Sequence, residues 1–178
     1  MKSSVDHYGT VAVTIHWVTV LLILLLVGTG FRAGGAEDAM EKAAILRLHV
    51  PFGIAILLLT IARIGWWLFM DKKPDSIAMP TWQDRASRFV HVLFYIVILG
   101  LVASGIGMVA LSQAGPMIFG GNADALPNFH DYPPRTPHGV GARLLLVLFA
   151  IHLGAALYHH FIMKDGLLRR MWFSSTDR

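Results

Sequence analysis

Residues 138–163 read HGVGARLLLVLFAIHLGAALYHHFIM, and this stretch decides the fold. It is long and apolar enough to cross a bilayer as a helix, which takes about 20 mostly apolar residues. His138 and His152 lie fourteen positions apart, so a helix places them on nearly the same face and about 21 Å apart along its axis. An ionisable side chain inside a membrane helix is costly and indicates a functional site. The stretch therefore predicts a membrane helix that carries two functional histidines on one face.

Three more apolar blocks precede this one, at about residues 9–31, 43–69 and 89–111, and the fourth block spans 139–163. The chain has 178 residues, 55% of them hydrophobic and 15% charged, whereas a soluble domain is roughly 45–50% apolar and about 25% charged. We therefore predict an all-α membrane protein, one four-transmembrane-helix bundle over residues 1–178. A cleaved signal peptide is the alternative for the first block, but its apolar run is too long for one.

The basic residues predict the orientation of the bundle. Lys and Arg are more frequent at the N-terminus, between the second and third blocks and in the tail 165–178 than on the other side. The positive-inside rule then places both termini in the cytoplasm. The long connection 112–137, rich in Gly, Pro, Asn and Asp, becomes an external loop, and the tail becomes a cytoplasmic interfacial anchor.

The composition excludes several kinds of chemistry. Cys is absent, which excludes disulfides, thiolate metal sites and Cys nucleophiles. The net charge of +4 fits a membrane surface, and we expect no nucleic-acid partner, because the basic residues lie between apolar blocks. Asp and Glu are nearly confined to loops, which argues against a carboxylate proton relay and against a histidine-lined metal transporter.

The histidines indicate haem binding. Neutral imidazole is a good ligand for haem iron, and a four-helix bundle can enclose a flat macrocycle between facing helices. Depth along the helices predicts two pairs, His49 with His138 near the external face and His16 with His152 in the cytoplasmic half. The bundle would then enclose two haems, stacked along its axis.

An alternative pairing stays open. His91, near the start of the third block, is a rival ligand. In that case His16 pairs with His91, and His49 pairs with His152.

Two further side chains are expected beside the inner haem. Arg63 follows His49 by fourteen positions on the same face and could pair with a haem propionate; the alternative is that it reaches the cytoplasmic headgroups. His159 follows His152 by two helical turns, which points it at the cytoplasmic edge of the inner haem.

Four strings give the chain a family resemblance: TIHW at residues 14–17, RLHV at 47–50, RFVHVLFYIVILGLVASG at 88–105 and AIHLGAALYHHFIMKDGLLRRM at 150–171. In this order and spacing they resemble the bacterial cytochrome b561 family, and most closely its small four-helix members described as superoxide:ubiquinone oxidoreductases. The resemblance covers nearly the whole chain, and the loop 112–137 matches least.

The resemblance implies a protein of the bacterial inner membrane with two b-type haems. It implies electron transfer from periplasmic superoxide through the haems to ubiquinone. The alternative is a haem anchor that passes electrons between a partner dehydrogenase or cytochrome and the quinone pool. Carried over by position, the axial ligands are His16, His49, His138 and His152, the quinone site lies near His159 with His91 and Lys164, and basic residues near the outer haem are Arg47, Arg135 and Arg143.

Overall fold

A computed structural model describes residues 2–77, 79–121 and 126–173, and within these ranges the chain is helical with no strand. The elements in chain order are α1 Thr10–Gly35, α2 Ala39–Gly65 with a π turn at Trp66–Met70, α3 Thr81–Ser112, α4 Gly115–Phe119, a 3₁₀ turn at Phe129–Asp131, α5 Arg135–Tyr158 with a π turn at His159–Met163, and a 3₁₀ turn at Leu167–Met171.

Four of these segments are long and apolar enough to cross a membrane: Thr10–Gly35, Ala39–Met70, Thr81–Ser112 and Arg135–Met163. A helix satisfies its own backbone hydrogen bonds, as a membrane span requires. Many large apolar side chains point outward, among them Leu21, Leu58, Ile96 and Val147. In a bilayer this surface faces lipid. The predicted all-α membrane fold is confirmed.

The bundle is built from two helix pairs. α1 packs mainly on α2, and α3 packs mainly on α5. The pairs meet in one apolar cluster in the middle of the bundle, which consists of Ile23, Ile56, Val97, Ile98, Val102, Leu145 and Leu148. This cluster separates two levels of the bundle, one toward each end of the helices.

The helices are longer than hydropathy alone predicts. α3 begins at Thr81 rather than near residue 89, and its polar first turns are stabilised by an Arg88–Asp84 ion pair at 2.7 Å. α2 begins at Ala39 rather than near residue 43, because the Asp38 side chain caps it by accepting from Glu41 N at 2.7 Å. Hydropathy finds the apolar span, whereas the helix continues through polar interfacial residues.

The connection 112–137 is more structured than predicted. It contains α4 and the 3₁₀ turn Phe129–Asp131, and α5 starts inside it at Arg135 rather than near residue 139. The five-residue α4 is too short to produce a periodic pattern, so the sequence does not reveal it. Residues 122–125 of this connection lie outside the described residues.

The N-terminal segment and the C-terminal turn lie at the same end of the bundle and bind each other through Arg170. Its guanidinium donates to Asp6 O at 2.6 Å, to Val5 O at 3.2 Å and to Asp75 O at 2.7 Å, and Tyr8 N donates to Arg170 O at 3.2 Å. The tail contacts the bundle as far as Trp172, whose ring lies 5.6 Å from that of Trp17, and its residues 174–178 lie outside the described ranges.

Candidate functional site

One histidine pair, which we call the outer pair after its predicted position, joins α2 to α5. The ring centroids of His49 and His138 lie 6.2 Å apart with an interplanar angle of 67°. Each ring also lies against a glycine of the neighbouring helix. A Cβ at Gly30 would lie 3.2 Å from His49 Cε1, and a Cβ at Gly105 would lie 3.3 Å from His138 Cε1. A side chain at either glycine would push the ring aside, so the glycines allow this close approach.

The outer pair lines a cavity of about 740 Å³. Such a volume lies in the usual range for small-molecule and cofactor sites, about 300–1,000 Å³. All four long helices contribute to its wall, and the connection before α5 adds Asn128, Phe129 and His130. Basic side chains in the wall are Lys42, Arg135 and Arg143.

The inner pair joins α1 to α5. The ring centroids of His16 and His152 lie 6.3 Å apart with an interplanar angle of 59°. Two more aromatic rings contact His152, those of His91 at 5.3 Å and Phe94 at 5.6 Å. Three histidines from three helices therefore meet at this level of the bundle.

The ring-centroid distances of both pairs would allow one metal ion to lie between the two imidazoles. With a metal–nitrogen bond of about 2 Å and a ring centre about 1 Å beyond the nitrogen, two centroids on opposite sides of one ion lie ~6 Å apart. The observed 6.2 Å and 6.3 Å agree with this value, whereas 5.3 Å between His91 and His152 is shorter. No cluster of three or more His, Cys, Asp or Glu suited to a metal ion occurs in the described residues. The residues thus fit a haem held by two histidines better than a metal ion held by protein alone.

The alternative pairing has less geometric support. Among the described residues, no ring contact joins His16 to His91 or His49 to His152. Which histidines share a haem nevertheless stays a prediction, and His91 keeps its place beside the inner pair.

Arg63 lies near the inner level. It is half-buried on α2, and its charge interacts with His16, His91 and His152. Within the described part of the chain, no hydrogen bond or ion pair of its guanidinium is found. A cation inside a membrane protein is normally paired, so this one suits an anionic group at the inner level.

His159 is buried in the π turn that ends the fourth span, with 8% of its surface exposed. Its Nδ1 bonds to Asp165 Oδ2, and Asp165 Oδ1 accepts from Leu167 N at 3.0 Å. Partial burial raises the pKa of the Asp165 carboxyl, but the hydrogen bonds from His159 and Leu167 outweigh it and hold the pKa below its usual value. Lys164 is exposed, and no hydrogen bond joins it to His159 among the described residues.

Asp165 was missed by sequence reasoning. The only signal is its position, six residues after His159, which a continuous helix would not bring round to the ring. Lys164 ends the helix with a left-handed φ of 52°, and this turn carries Asp165 back toward His159.

The three outer arginines have different surroundings. Arg47 Nε donates to Ile118 O at 2.5 Å, which fastens α4 to α2, and Arg47 does not line the cavity. Arg143 donates to Gly139 O at 2.9 Å within its own helix and, like Arg135, lines the cavity. The cation set at the outer level is therefore Lys42, Arg135 and Arg143.

The chain is similar to known proteins over nearly its whole length. Residues 7–174 match the family model described as prokaryotic cytochrome b561. "Cytochrome b561 homolog 1" of Escherichia coli (strain K12) is 27% identical over 93% of this chain and 97% of its own length. "Cytochrome b562" of Cereibacter sphaeroides is 31% identical over 92% of this chain and 94% of its own length. The protein named "Probable superoxide oxidase CybB" of Yersinia pestis is 25% identical over 92% of this chain and 94% of its own length.

Proposed function

The chain belongs to the prokaryotic cytochrome b561 family, whose members transfer electrons in the membrane through b-type haem, and from this premise we propose that it oxidises superoxide at one face and reduces ubiquinone toward the other. The observation that carries the proposal is the presence of two similar histidine pairs, at 6.2 Å and 6.3 Å, on two levels of one bundle. Two haems at these levels would connect the two faces.

Each level has its own candidate ligands. His49 and His138 would hold the outer haem, His16 and His152 would hold the inner one, and Arg63 would bind a propionate of the inner haem. A bound haem supplies reversible one-electron chemistry at its iron, and the protein tunes it through the ligands and the surrounding charge.

The outer level suits a small anion. Lys42, Arg135 and Arg143 in the cavity wall create a positive potential, which raises the local concentration of an anion and its rate of encounter. Superoxide is a small anion, and the relative from Yersinia pestis is named for its oxidation. These charges are the support for superoxide as the electron donor.

The inner level suits a quinone. Ubiquinone needs two electrons and two protons to become ubiquinol, and two superoxide anions supply the electrons when each leaves as O₂. The hydrogen-bonded pair of His159 and Asp165 lies at the end of the fourth span and can pass protons to a quinone oxygen. His91 and Lys164 complete the proposed surroundings of the quinone.

A second candidate function is that of a haem anchor for a partner dehydrogenase or cytochrome. The relative from Cereibacter sphaeroides is the most similar of the three in identity, and its name mentions no superoxide. In that case the connection before α5, which contributes Phe129 and His130 to the cavity wall, would contact the partner.

The purified chain in detergent distinguishes the two functions. Superoxide from an enzymatic source is supplied together with a short-chain ubiquinone, and ubiquinol is measured over time. We expect ubiquinol formation that depends on the chain and disappears with added superoxide dismutase. Haem bands that superoxide leaves oxidised, with no ubiquinol, would contradict the proposal and favour the partner-fed anchor.

The outer cations should govern the rate with superoxide. Replacing Arg135 with Gln is expected to lower the second-order rate about tenfold at low salt, because electrostatic steering contributes 10-fold or more to such rates. The rate of the variant should also depend less on ionic strength than that of the parent chain. Arg169→Gln, at the end of the bundle that holds the termini, is the matched control, and equal salt dependence in all three proteins would exclude steering by this cavity.

We also propose that both termini lie in the cytoplasm of a bacterial inner-membrane protein. The chain has no cysteine, so single cysteines can report the topology. Asn128→Cys, on the exposed connection before α5, should react with a membrane-impermeant maleimide in spheroplasts, whereas Ser4→Cys should react only after lysis. The reverse labelling pattern would invert the orientation and move the outer haem to the cytoplasmic face.

A further inference from the structure

Thr29 contacts the outer ligand His49 across the α1–α2 interface. Thr29 Oγ1 lies 2.8 Å from Leu25 O and 3.0 Å from His49 Nδ1. A hydroxyl has one hydrogen, and the carbonyl can only accept, so Thr29 donates to Leu25 O. Its oxygen then accepts from the Nδ1–H of His49. This arrangement places the ring proton on Nδ1 and leaves Nε2 as the atom with a free lone pair.

Ser104 repeats this arrangement on the other side of the outer pair. Ser104 Oγ donates to Gly100 O at 2.8 Å and accepts from His138 Nδ1 at 3.0 Å. His138 Nδ1 also lies 3.0 Å from Leu101 O. The next residue after each hydroxyl, Gly30 or Gly105, is the glycine that the histidine ring lies against. A threonine-glycine pair on α1 and a serine-glycine pair on α3 thus hold the two rings in the same way.

The inner pair lacks this support. Over the described ranges, the ring nitrogens of His16 and His152 have no hydrogen-bond partner. His16 is instead in edge contact with Trp17 at 5.5 Å, and His152 with Phe94 at 5.6 Å. The two levels therefore differ in the hydrogen bonds that their histidines make.

We infer that Thr29 and Ser104 are positioning residues that fix the ligand tautomer of His49 and His138 and lower the reduction potential of the outer haem. The inference rests on the proposed function, because it requires that this pair holds a haem. A histidine that donates its second N–H to an acceptor is a more basic ligand. A more basic ligand favours the more positively charged oxidised iron, so the potential falls.

The sign of this effect matches the proposed direction of electron flow. A lower potential at the outer level favours transfer from the outer haem to the inner one. The cations in the cavity wall would oppose this lowering of the potential at the outer level, and Arg63 would raise the potential at the inner level. The effect of the hydroxyls on the reduction potential adds to the effect of these charges. Their own contribution is the change in the outer potential when each hydroxyl is removed.

Thr29→Val and Ser104→Ala remove the hydroxyls with little change of shape. In a potentiometric titration followed by absorption, Thr29→Val should favour the reduced outer haem about tenfold more, which is about 59 mV for a one-electron couple. Ser104→Ala should shift the outer potential in the same direction by less, because Leu101 O still accepts from His138 Nδ1. The inner haem should keep its potential. Thr29→Ser and Ser104→Thr should restore the parent value, because they keep the hydroxyl. The outer haem is identified as the one that His138→Ala removes.

Thr19 provides a matched control on the same helix. It donates to Ile15 O at 2.7 Å as Thr29 donates to Leu25 O, and it is buried, but no hydrogen bond to a histidine is found for it in the described residues. Thr19→Val should leave both potentials unchanged. Full haem content with an unmoved outer potential in Thr29→Val and Ser104→Ala would overturn the inference and leave haem ligation intact. Full haem content in His49→Ala and His138→Ala would instead overturn the proposed ligation itself.

Discussion

Replacing His138 with alanine should halve the haem content of the purified chain, from two haems to one, and replacing His49 should do the same. The reason is that the two ring centroids lie 6.2 Å apart, so either substitution should remove a ligand of the same proposed haem. His16→Ala and His152→Ala should each remove the other haem. The haem content is measured as extracted haem per chain, and the remaining haem should keep its low-spin spectrum.

The same assay tests the pairing of the ligands. If His16 pairs with His152, then His91→Ala keeps both haems and shifts only the inner spectrum, since His91 contacts His152 at 5.3 Å. If His16 pairs with His91, then His91→Ala loses one haem and His138→Ala loses none. His160→Ala is the control. His160 lies in the same π turn as His159, and its ring contacts Phe161 rather than one of the proposed ligand histidines. A chain that keeps two low-spin haems in all four ligand variants would contradict both pairings.

Asp165→Asn should slow the reduction of ubiquinone by about a hundredfold while both haems stay bound, because a positioned acid or base contributes 10²–10⁴-fold to proton transfer. His159 Nδ1 bonds to this carboxylate, which orients the ring. Reduction of the haems by superoxide should be unchanged. Stopped-flow spectroscopy separates the two steps, and Asp75→Asn, an exposed carboxyl at the same end of the bundle, is the control.

The pH dependence of this contact has a definite sign. The pKa of the Asp165 carboxyl lies below its usual value in the folded chain. The contact therefore stabilises the folded chain at pH above the usual carboxyl pKa of about 3.9 and is lost as the pH falls through the lowered value. Asp165→Asn should abolish this pH-dependent contribution to the free energy of unfolding. Unchanged quinone reduction in the variant would exclude the pair as a proton donor, and loss of the inner haem would assign it a structural role.

The membrane fold and the helix faces on which the histidines lie follow from local rules. Hydropathy locates four spans, and the helical repeat of 3.6 residues places His138 and His152 on one face. Two side chains on neighbouring helices can meet only if they lie at the same depth in the membrane. For antiparallel helices that cross a bilayer of fixed thickness, the position in the sequence predicts that depth. That is why the structure brings His49 to His138 and His16 to His152.

Contacts between a side chain and a backbone atom of another segment do not follow from these rules. Arg47 looks like one of the outer cations by sequence, but it donates to Ile118 O in a short helix that hydropathy does not reveal. Thr29 and Ser104 look like ordinary small residues in apolar runs, and their role depends on the packing of one helix on another. The turn at Lys164 that carries Asp165 back to His159 likewise has no periodic signal.

The most direct test of the central claim is the haem content and absorption spectrum of the purified parent chain. Extracted haem is divided by the number of chains, and the spectra are recorded in the oxidised and reduced forms. The two histidine pairs predict two b-type haems per chain, both low-spin in both forms. A single haem, a high-spin spectrum or a colourless chain would contradict the assignment of His16, His49, His138 and His152 as axial ligands.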